Sequence, residues 1–395
     1  MSGRGVALAA AVLIAVACTD SPNPVQPEGG MELPAVSASA ARVIPGQFIV
    51  TLRDGTDPAA VAHEYRVRPD FVYTHALTGF AGAISDAARH GLLRDGRVRL
   101  VEPDGIATIV ATETETNATW GLDRVDQRSL PLNTTYTHTD SGSGVTAYII
   151  DTGIRFSHSE FAGRATSGYD AVDGGSADDC HGHGTHVAGT VGGGKYGVAQ
   201  GVSLVAVRVL NCSGSGSWSG VIAGIDWITG VHQLGAPAVA NLSLGGGANT
   251  SVDNAVRSMI ADGVATAIAA GNGNIVGIAQ DACKSSPARV AEAMTIGATD
   301  KADKKASWSN YGKCVDWFAP GVGITSAWYT GDAATNTISG TSMATPHTAG
   351  VAALYLQGNP GATSQQVRDA LYANTTKGIV TSSRTTNNHL LFTNY

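Results

Sequence analysis

Four short stretches hold side chains whose types and spacing could do nucleophilic chemistry. "GTSMATPHTAG" puts Ser342 after Gly340 at the mouth of a small-residue helix. Free backbone N–H groups and the positive helix end there favour developing negative charge. "VTAYIIDTGI" is an apolar strand ending in Asp151, and "CHGHGTHVAGT" sets His183 between glycines where a helix begins. "ATAIAAGNGN" delivers Gly271, Asn272 and Gly273 at another strand end, where an amide donor to an oxyanion can be worth ~10²- to 10³-fold in rate. Taken singly, each has a plainer explanation: a helix cap for Ser342, an Asx turn for Asp151, a turn asparagine for Asn272. His181, His183 and His186 could also be metal ligands, but no HExxH helix accompanies them. Together the four supply an orienting carboxylate, an imidazole base, a hydroxyl nucleophile and an oxyanion donor, in the order Asp, His, Ser.

The elements around them must hold these groups at one place. "VTAYII", "SLVAVRVL", "AVANLSL", "GVATAIAA" and "AMTIGA" are short apolar runs separated by helical stretches such as "GVIAGIDWITGV" and "TSVDNAVRSMIADG". That alternation predicts an α/β fold whose parallel sheet is buried on both faces, with ligands bound beyond the carboxyl ends of its strands. Upstream, "GQFIVTL", "GFAGAI" and "VRLVEPDGIATI" read as strands and "DPAAVAHEYR" and "AARHGLL" as helices, a small α+β unit over residues 43–110. Residues 111–119 are largely polar and aperiodic, an expected cuttable junction ahead of a large domain over 120–395.

Residues 1–18 carry Arg4, an apolar run and Cys18, and read as a secretory signal too short to span a bilayer. A lipidated Cys18 and ordinary cleavage nearby both stay open. Residues 19–42 read as a linker. With 43% hydrophobic and 14% charged residues the chain can bury a substantial core, and a net charge of -7 leaves no basic footprint for nucleic acid. Outside the signal, Cys180, Cys212, Cys283 and Cys314 admit three pairings, of which spacing favours two local loops, 180–212 and 283–314.

"DTGI", "HGTHVAGT", "AAGN" and "GTSMATPHTAG" resemble the signature segments of subtilisin-like serine proteases. "WGLDRVDQRSLPLN", "YGVAQGVSLVAVRVLNCSGSG" and "SWSNYGKCVDWFAPG" are similar to the proteinase K branch, especially its aqualysin-like members. An α/β-hydrolase esterase would need Gly-x-Ser-x-Gly and the order Ser, Asp, His, whereas Ala344 stands at the last glycine position and Ser342 comes last. A catalytically dead binding module of the same fold would not need all four groups.

The resemblance implies a three-layer subtilisin-like fold with a mostly parallel sheet, preceded by a ferredoxin-like propeptide that inhibits, assists folding and is cut off by the enzyme itself. It makes Ser342 the nucleophile, His183 the base, Asp151 its orienting partner and Asn272 an oxyanion donor. Substrate would lie as an extended strand between Ser213-Gly214-Ser215 and Ser243-Leu244-Gly245, with Ala269, Ala270 and Gly271 forming a roomy pocket for large apolar or aromatic side chains. The cysteine pairing agrees with the branch's two disulfides. Structural calcium is implied at Asp316 with the carbonyls of Ala291 and Ala293, and at Asp123, Asp126 and Gln127, although Asn133 stands where an aspartate is expected. Asp170, Asp173, Asp178 and Asp179 read as a solvated acidic loop. His181 departs from the asparagine common before "GHGTH". The overall expectation is a secreted, monomeric, self-processing serine endopeptidase acting on polypeptides.

Overall fold

The computed structural model describes residues 43–74, 77–105, 113–274 and 276–395, so the signal and linker lie outside the described residues. The smaller part runs β1 (Val43–Leu52), α1 (Pro58–Glu64), β2 (Phe71–Tyr73), β3 (Gly79–Ala83), α2 (Asp86–Leu92) and β4 (Val98–Gly105). Its strands form an antiparallel sheet in the order β2-β3-β1-β4, the ferredoxin-like arrangement. Val50, Leu52, Phe80 and Leu92 fill its core against Val61 and Ala62 of α1. Asp57 and Ser85 cap its two helices through their side-chain oxygens. Only β2 is absent from the sequence reading, since three residues after a proline carry no period.

The segment expected to be a bare junction contains β5 (Glu113–Thr116), which pairs antiparallel with β6 (Thr135–His138) beyond α3 (Trp120–Val125). There follow β7 (Thr146–Asp151), β8 (Ala165–Asp170), α4 (His183–Gly192), β9 (Ser203–Arg208), α5 (Trp218–Val231), β10 (Ala238–Leu242) and β11 (Gly246–Gly247). Then come α6 (Thr250–Ala261), β12 (Ala265–Ala269), β13 (Ser285–Ser286), β14 (Met294–Thr299), β15 (Trp317–Pro320), β16 (Ile324–Ala327) and β17 (Thr335–Ile338). Two helices, α7 (Thr341–Gly358) and α8 (Ser364–Asn374), end the series.

The main sheet has the order β15-β14-β12-β10-β7-β9-β8, and every pair is parallel. Its inner strands are apolar on both faces because both are covered. Val187 and Val191 of α4 and the alanines of α7 pack one face, while Val221, Ile225 and Ile228 of α5 and Val252, Val256 and Met259 of α6 pack the other. The result is three layers, helix on sheet on helix. Parallel register brings the carboxyl ends of β7, β9, β10 and β12 side by side, so Asp151 faces Arg208 in the neighbouring strand and Leu242 faces Ile268. The cysteines pair as spacing suggested, Cys180 with Cys212 and Cys283 with Cys314, at Cα separations of 5.0 and 5.3 Å.

Buried charge braces the loops behind that edge. Arg124, fully buried, grips Asp303 through two hydrogen bonds of 2.8 and 3.0 Å. Lys305, 4% exposed, pairs with no carboxylate among the described residues; its Nζ donates to the carbonyls of Ala306 and Ser309, both at 2.8 Å. Burial, followed by the charge of Arg384, pushes the lysine down to about 8. Since the unfolded chain then binds the extra proton between pH 8 and its ordinary lysine range, stability is lower below pH 8 and rises above it. Denaturant melts from pH 7 to 10.5 are expected to show that rise, and Lys305→Met to flatten it.

Candidate active site

Asp151 is delivered at the last position of β7, fully buried. Its Oδ1 accepts from the Thr152 backbone N–H (2.8 Å) and pairs with Nδ1 of His183 (2.7 Å), while Oδ2 is buried without a partner. Burial alone would push the His183 imidazole down; the charge and hydrogen bond of Asp151, with the charge of Asp179, outweigh it and set it above the ordinary histidine value. An imidazole paired this way at Nδ1 gains stability when it becomes charged.

The start of α4, which carries His183, is fixed by a residue that composition misassigns. Asp179 is not part of a solvated loop. Its Oδ1 accepts from the N–H groups of His181 and Gly182 and from Thr152 Oγ1, all at 2.9 Å, and its Oδ2 from Thr185 N and Oγ1. Asp170 is likewise buried and paired with Arg208 at 2.9 Å. These carboxylates satisfy a helix start and a buried guanidinium, partners that local charge patterning does not reveal.

Ser342 lies in the first turn of α7, a helix buried along most of its length and built from small residues. Pro346 stands four residues on and has no N–H to give the Ser342 carbonyl. Ser243 takes up that role: its Oγ donates to the Ser342 carbonyl at 2.8 Å and accepts from Asn241 Nδ2 at 2.9 Å. The Ser342 hydroxyl in return donates to the Ser243 carbonyl at 3.0 Å. Two reciprocal hydrogen bonds therefore join the end of β10 to the mouth of α7.

Asn272 is aimed by the same helix. Its Oδ1 accepts from both the N–H and the hydroxyl of Thr341, each at 2.8 Å, which turns Nδ2 toward Gly340. A Cβ placed on Gly340 would lie 3.5 Å from Asn272 Nδ2 and equally 3.5 Å from the Ser342 backbone nitrogen. Asn272 Nδ2 and the Ser342 nitrogen, with Met343 Sδ at the same distance, thus border the space that glycine leaves open, where two such nitrogens could serve an oxyanion. Asn310 secures the turn behind: Nδ2 donates to the Ala270 carbonyl at 2.8 Å, and Oδ1 accepts from Gly273 and Gln280.

A cavity of about 510 Å³ opens beside these groups. His183, Ser213, Gly214, Ser215, Ser243, Leu244 and Gly245, all singled out in the sequence, line it together with Leu210, Gly216, Trp218 and Val221, which were not. Trp218 directly follows a glycine-serine loop, and that was the one available signal. Ala269 and Ala270 are buried in the core behind Gly271 and do not line this cavity.

The two expected ion sites differ. At Asp316, Oδ2 accepts from the Thr295 N–H at 2.8 Å and Oδ1 pairs with Arg368 at 2.5 Å, so the carboxylate already has its cation and does not fit calcium with Ala291 and Ala293. At Asp123, Asp126 and Gln127, the carboxylate of Asp123 is taken by Gln127 Nε2 and the N–H groups of Asn133 and Thr134. Asp126 Oδ1, however, is buried without a partner, and burial, then the charge of Asp123, pushes Asp126 up to about 6. That is a position a cation would relieve, although no group of three or more His, Cys, Asp or Glu forms a metal cluster among the described residues.

A cavity lined by a carboxylate-backed imidazole, with Ser342 bound to its lining residue Ser243, fits a serine peptidase of the layered α/β class. Residues 142–391 match the Subtilase family, more than half of the chain, and the protein belongs to that family as a subtilisin-like serine endopeptidase. It is 48% identical over 420 residues to an extracellular serine proteinase of Thermus sp. (strain Rt41A), covering 100% of each chain. It is 51% identical to alkaline serine exoprotease A of Vibrio alginolyticus, over 83% of this chain and 61% of that one. A crystal structure of a cold adapted subtilisin-like serine proteinase superposes with a TM-score of 0.67 at 54% identity, covering 70% of this chain and 98% of that one.

Removing the Ser243 hydroxyl tests the link between β10 and α7. Ser243→Ala leaves the Ser342 carbonyl and Asn241 without their partner and is expected to cost about 1–3 kcal/mol of stability. A several-fold fall in kcat, read on a chromogenic peptide beside a thermal melt, should accompany it.

Proposed function

We propose that the protein is an exported endopeptidase that cleaves polypeptides through an acyl-enzyme, with Ser342 as nucleophile. His183 takes the Ser342 proton as the hydroxyl attacks the substrate carbonyl, and Asp151 holds the imidazole and stabilises its charged form. Asn272 Nδ2 and the Ser342 N–H receive the oxyanion; their shared position beside Gly340 is the observation that carries this reading. His183 then gives its proton to the leaving amine, and water, activated by the same imidazole, releases the acyl group. Substrate backbone pairs with the edges at 213–215 and 243–245, so affinity comes from main-chain hydrogen bonds with little sequence demand. Gly271, with Ala269 and Ala270 packed behind it, would leave room for a large apolar or aromatic side chain before the scissile bond. The names of the relatives and the two disulfides favour action outside the cell, and no helix among the described residues is long and apolar enough to cross a membrane.

Residues 43–110 act in this reading as a propeptide that assists folding and inhibits until the enzyme cuts itself free. A cut before Glu113 keeps β5 paired to β6, whereas a cut after Thr116 would sever the strand from the sequence that follows. Ser342→Ala is expected to abolish cleavage of casein and to accumulate as uncut precursor. The wild-type protein should yield a mature N-terminus ahead of Glu113 by mass spectrometry; casein cleavage by the alanine variant would overturn the assignment.

Calcium is proposed at Asp123, Asp126 and Gln127, where it would neutralise two neighbouring carboxylates. Added calcium should raise Tm of the wild type, Asp126→Asn should lose that increment, and Asp316→Asn should keep it.

A further inference from the structure

Asn272-Gly273 is the single Asn-Gly pair in the chain, and it falls on the residue proposed as oxyanion donor. Such pairs are the most prone to lose ammonia, because a glycine nitrogen has no side chain beside it to hinder attack on the preceding amide. Glycine is nevertheless required at this position: Gly273 has φ +80°, and a Cβ there would lie 2.6 Å from the Ile278 carbonyl oxygen. Asn272 is exposed, so water reaches it. Two sets of hydrogen bonds act on the pair in opposite senses. Thr341 donates its N–H and its hydroxyl to Asn272 Oδ1, each at 2.8 Å, which draws electrons from Cγ and makes that carbon a better electrophile. Asn310, 3% exposed, accepts the Gly273 N–H on Oδ1 at 3.1 Å and so holds the would-be attacking nitrogen to itself. Bonds to the Gln280 N–H (2.7 Å) and the Ala270 carbonyl (2.8 Å) fix that carboxamide in place.

We propose that Asn272-Gly273 is the site at which the folded enzyme ages, by deamidation of Asn272, and that the hydrogen bond from Gly273 to Asn310 sets the rate. In this step the Gly273 N–H gives its proton to hydroxide, and the nitrogen forms a bond to Asn272 Cγ. The Cγ–Nδ2 bond breaks, the leaving nitrogen takes a proton from water and departs as ammonia, and a succinimide ring remains. Water then opens the ring at either carbonyl, leaving aspartate or isoaspartate at position 272; nothing is oxidised or reduced. Each product replaces an amide donor with a carboxylate, and isoaspartate also lengthens the backbone by one carbon. Losing one oxyanion donor lowers kcat by ~10²- to 10³-fold. That loss of activity rests on the oxyanion reading above, whereas the deamidation does not.

The experiment stores mature enzyme obtained from the full chain at alkaline pH, well below its Tm and dilute enough to limit autolysis. Peptide mapping by mass spectrometry measures aspartate and isoaspartate at every asparagine, and kcat is read on a chromogenic peptide. The wild type is expected to convert Asn272 before any other asparagine, with kcat falling in proportion to the Asn272 that remains and the thermal melt little changed. Asn310→Ala, held at the same interval below its own Tm, should convert Asn272 on the order of tenfold faster, the effect of one lost hydrogen bond. Asn310→Ser serves if the alanine variant does not fold. Asn310→Asp, which keeps an acceptor for the Gly273 N–H, should be no faster than the wild type. Activity lost from uncut chains with Asn272 intact, earlier conversion of another asparagine, or equal rates with and without the Asn310 acceptor would each overturn the proposal. Full kcat in a pool converted at position 272 would overturn the inactivation and the oxyanion role of Asn272 together. Failure of the wild type to cleave any peptide would count against the endopeptidase reading, while the peptide map would still decide the deamidation.

Discussion

The mouth of α7 must present a serine and an open N–H on a helix whose other sides are buried, and the rest of the site follows from how that end is pinned. Thr341 is bound to Asn272, and Ser342 is bound to Ser243 in both directions. Each bond joins the helix to the carboxyl end of a different strand, β12 on one side and β10 on the other. A proline in the second turn makes the arrangement necessary, because it frees the one carbonyl that Ser243 then occupies. The helix is therefore registered against the sheet by polar contacts at its active end and by close packing of alanine and glycine along its length.

That register explains why the site is rigid without a dense web around the reacting atoms. Asp151 needs only the strand that carries it and the imidazole it orients. The imidazole needs the carboxylate of Asp179, which organises the start of α4 and also bonds Thr152 beside Asp151. Asn310 and Lys305 hold the loop behind Asn272, the lysine by donating to two carbonyls of the segment that carries Asn310. Positioning thus comes from a layer of buried polar residues, each satisfied by backbone groups, and such layers hold a side chain with little freedom to drift.

The residues proposed for the chemistry stand out in the sequence because each sits at the boundary of a recognisable element. Asp151 and Asn272 follow apolar runs, and His183 and Ser342 follow glycine at helix starts. The supporting residues do not, since their partners are distant in sequence: Ser243 and Ser342 are 99 residues apart and Asn310 and Ala270 are 40 apart. Asp170 and Asp179 read as solvated because their neighbours are polar, yet Arg208 and the α4 backbone reach them only in the folded sheet. The Asp316 carboxylate shows the same limit, as Arg368 comes to it from α8, 52 residues on. Layer order and parallel sheet followed from the apolar runs, whereas β2 and β5 depend on cross-strand partners that periodicity cannot supply.

The disulfide between Cys180 and Cys212 joins the residue before His181 to the residue before Ser213. It therefore ties the segment that carries His181 to the 213–215 edge packed against it, on one side of the groove. The backbone of that rim is covalently fixed, independently of what its side chains contribute. Substitutions on that rim can change which peptides are read while its backbone stays in place, so selectivity can diverge between relatives on a constant frame.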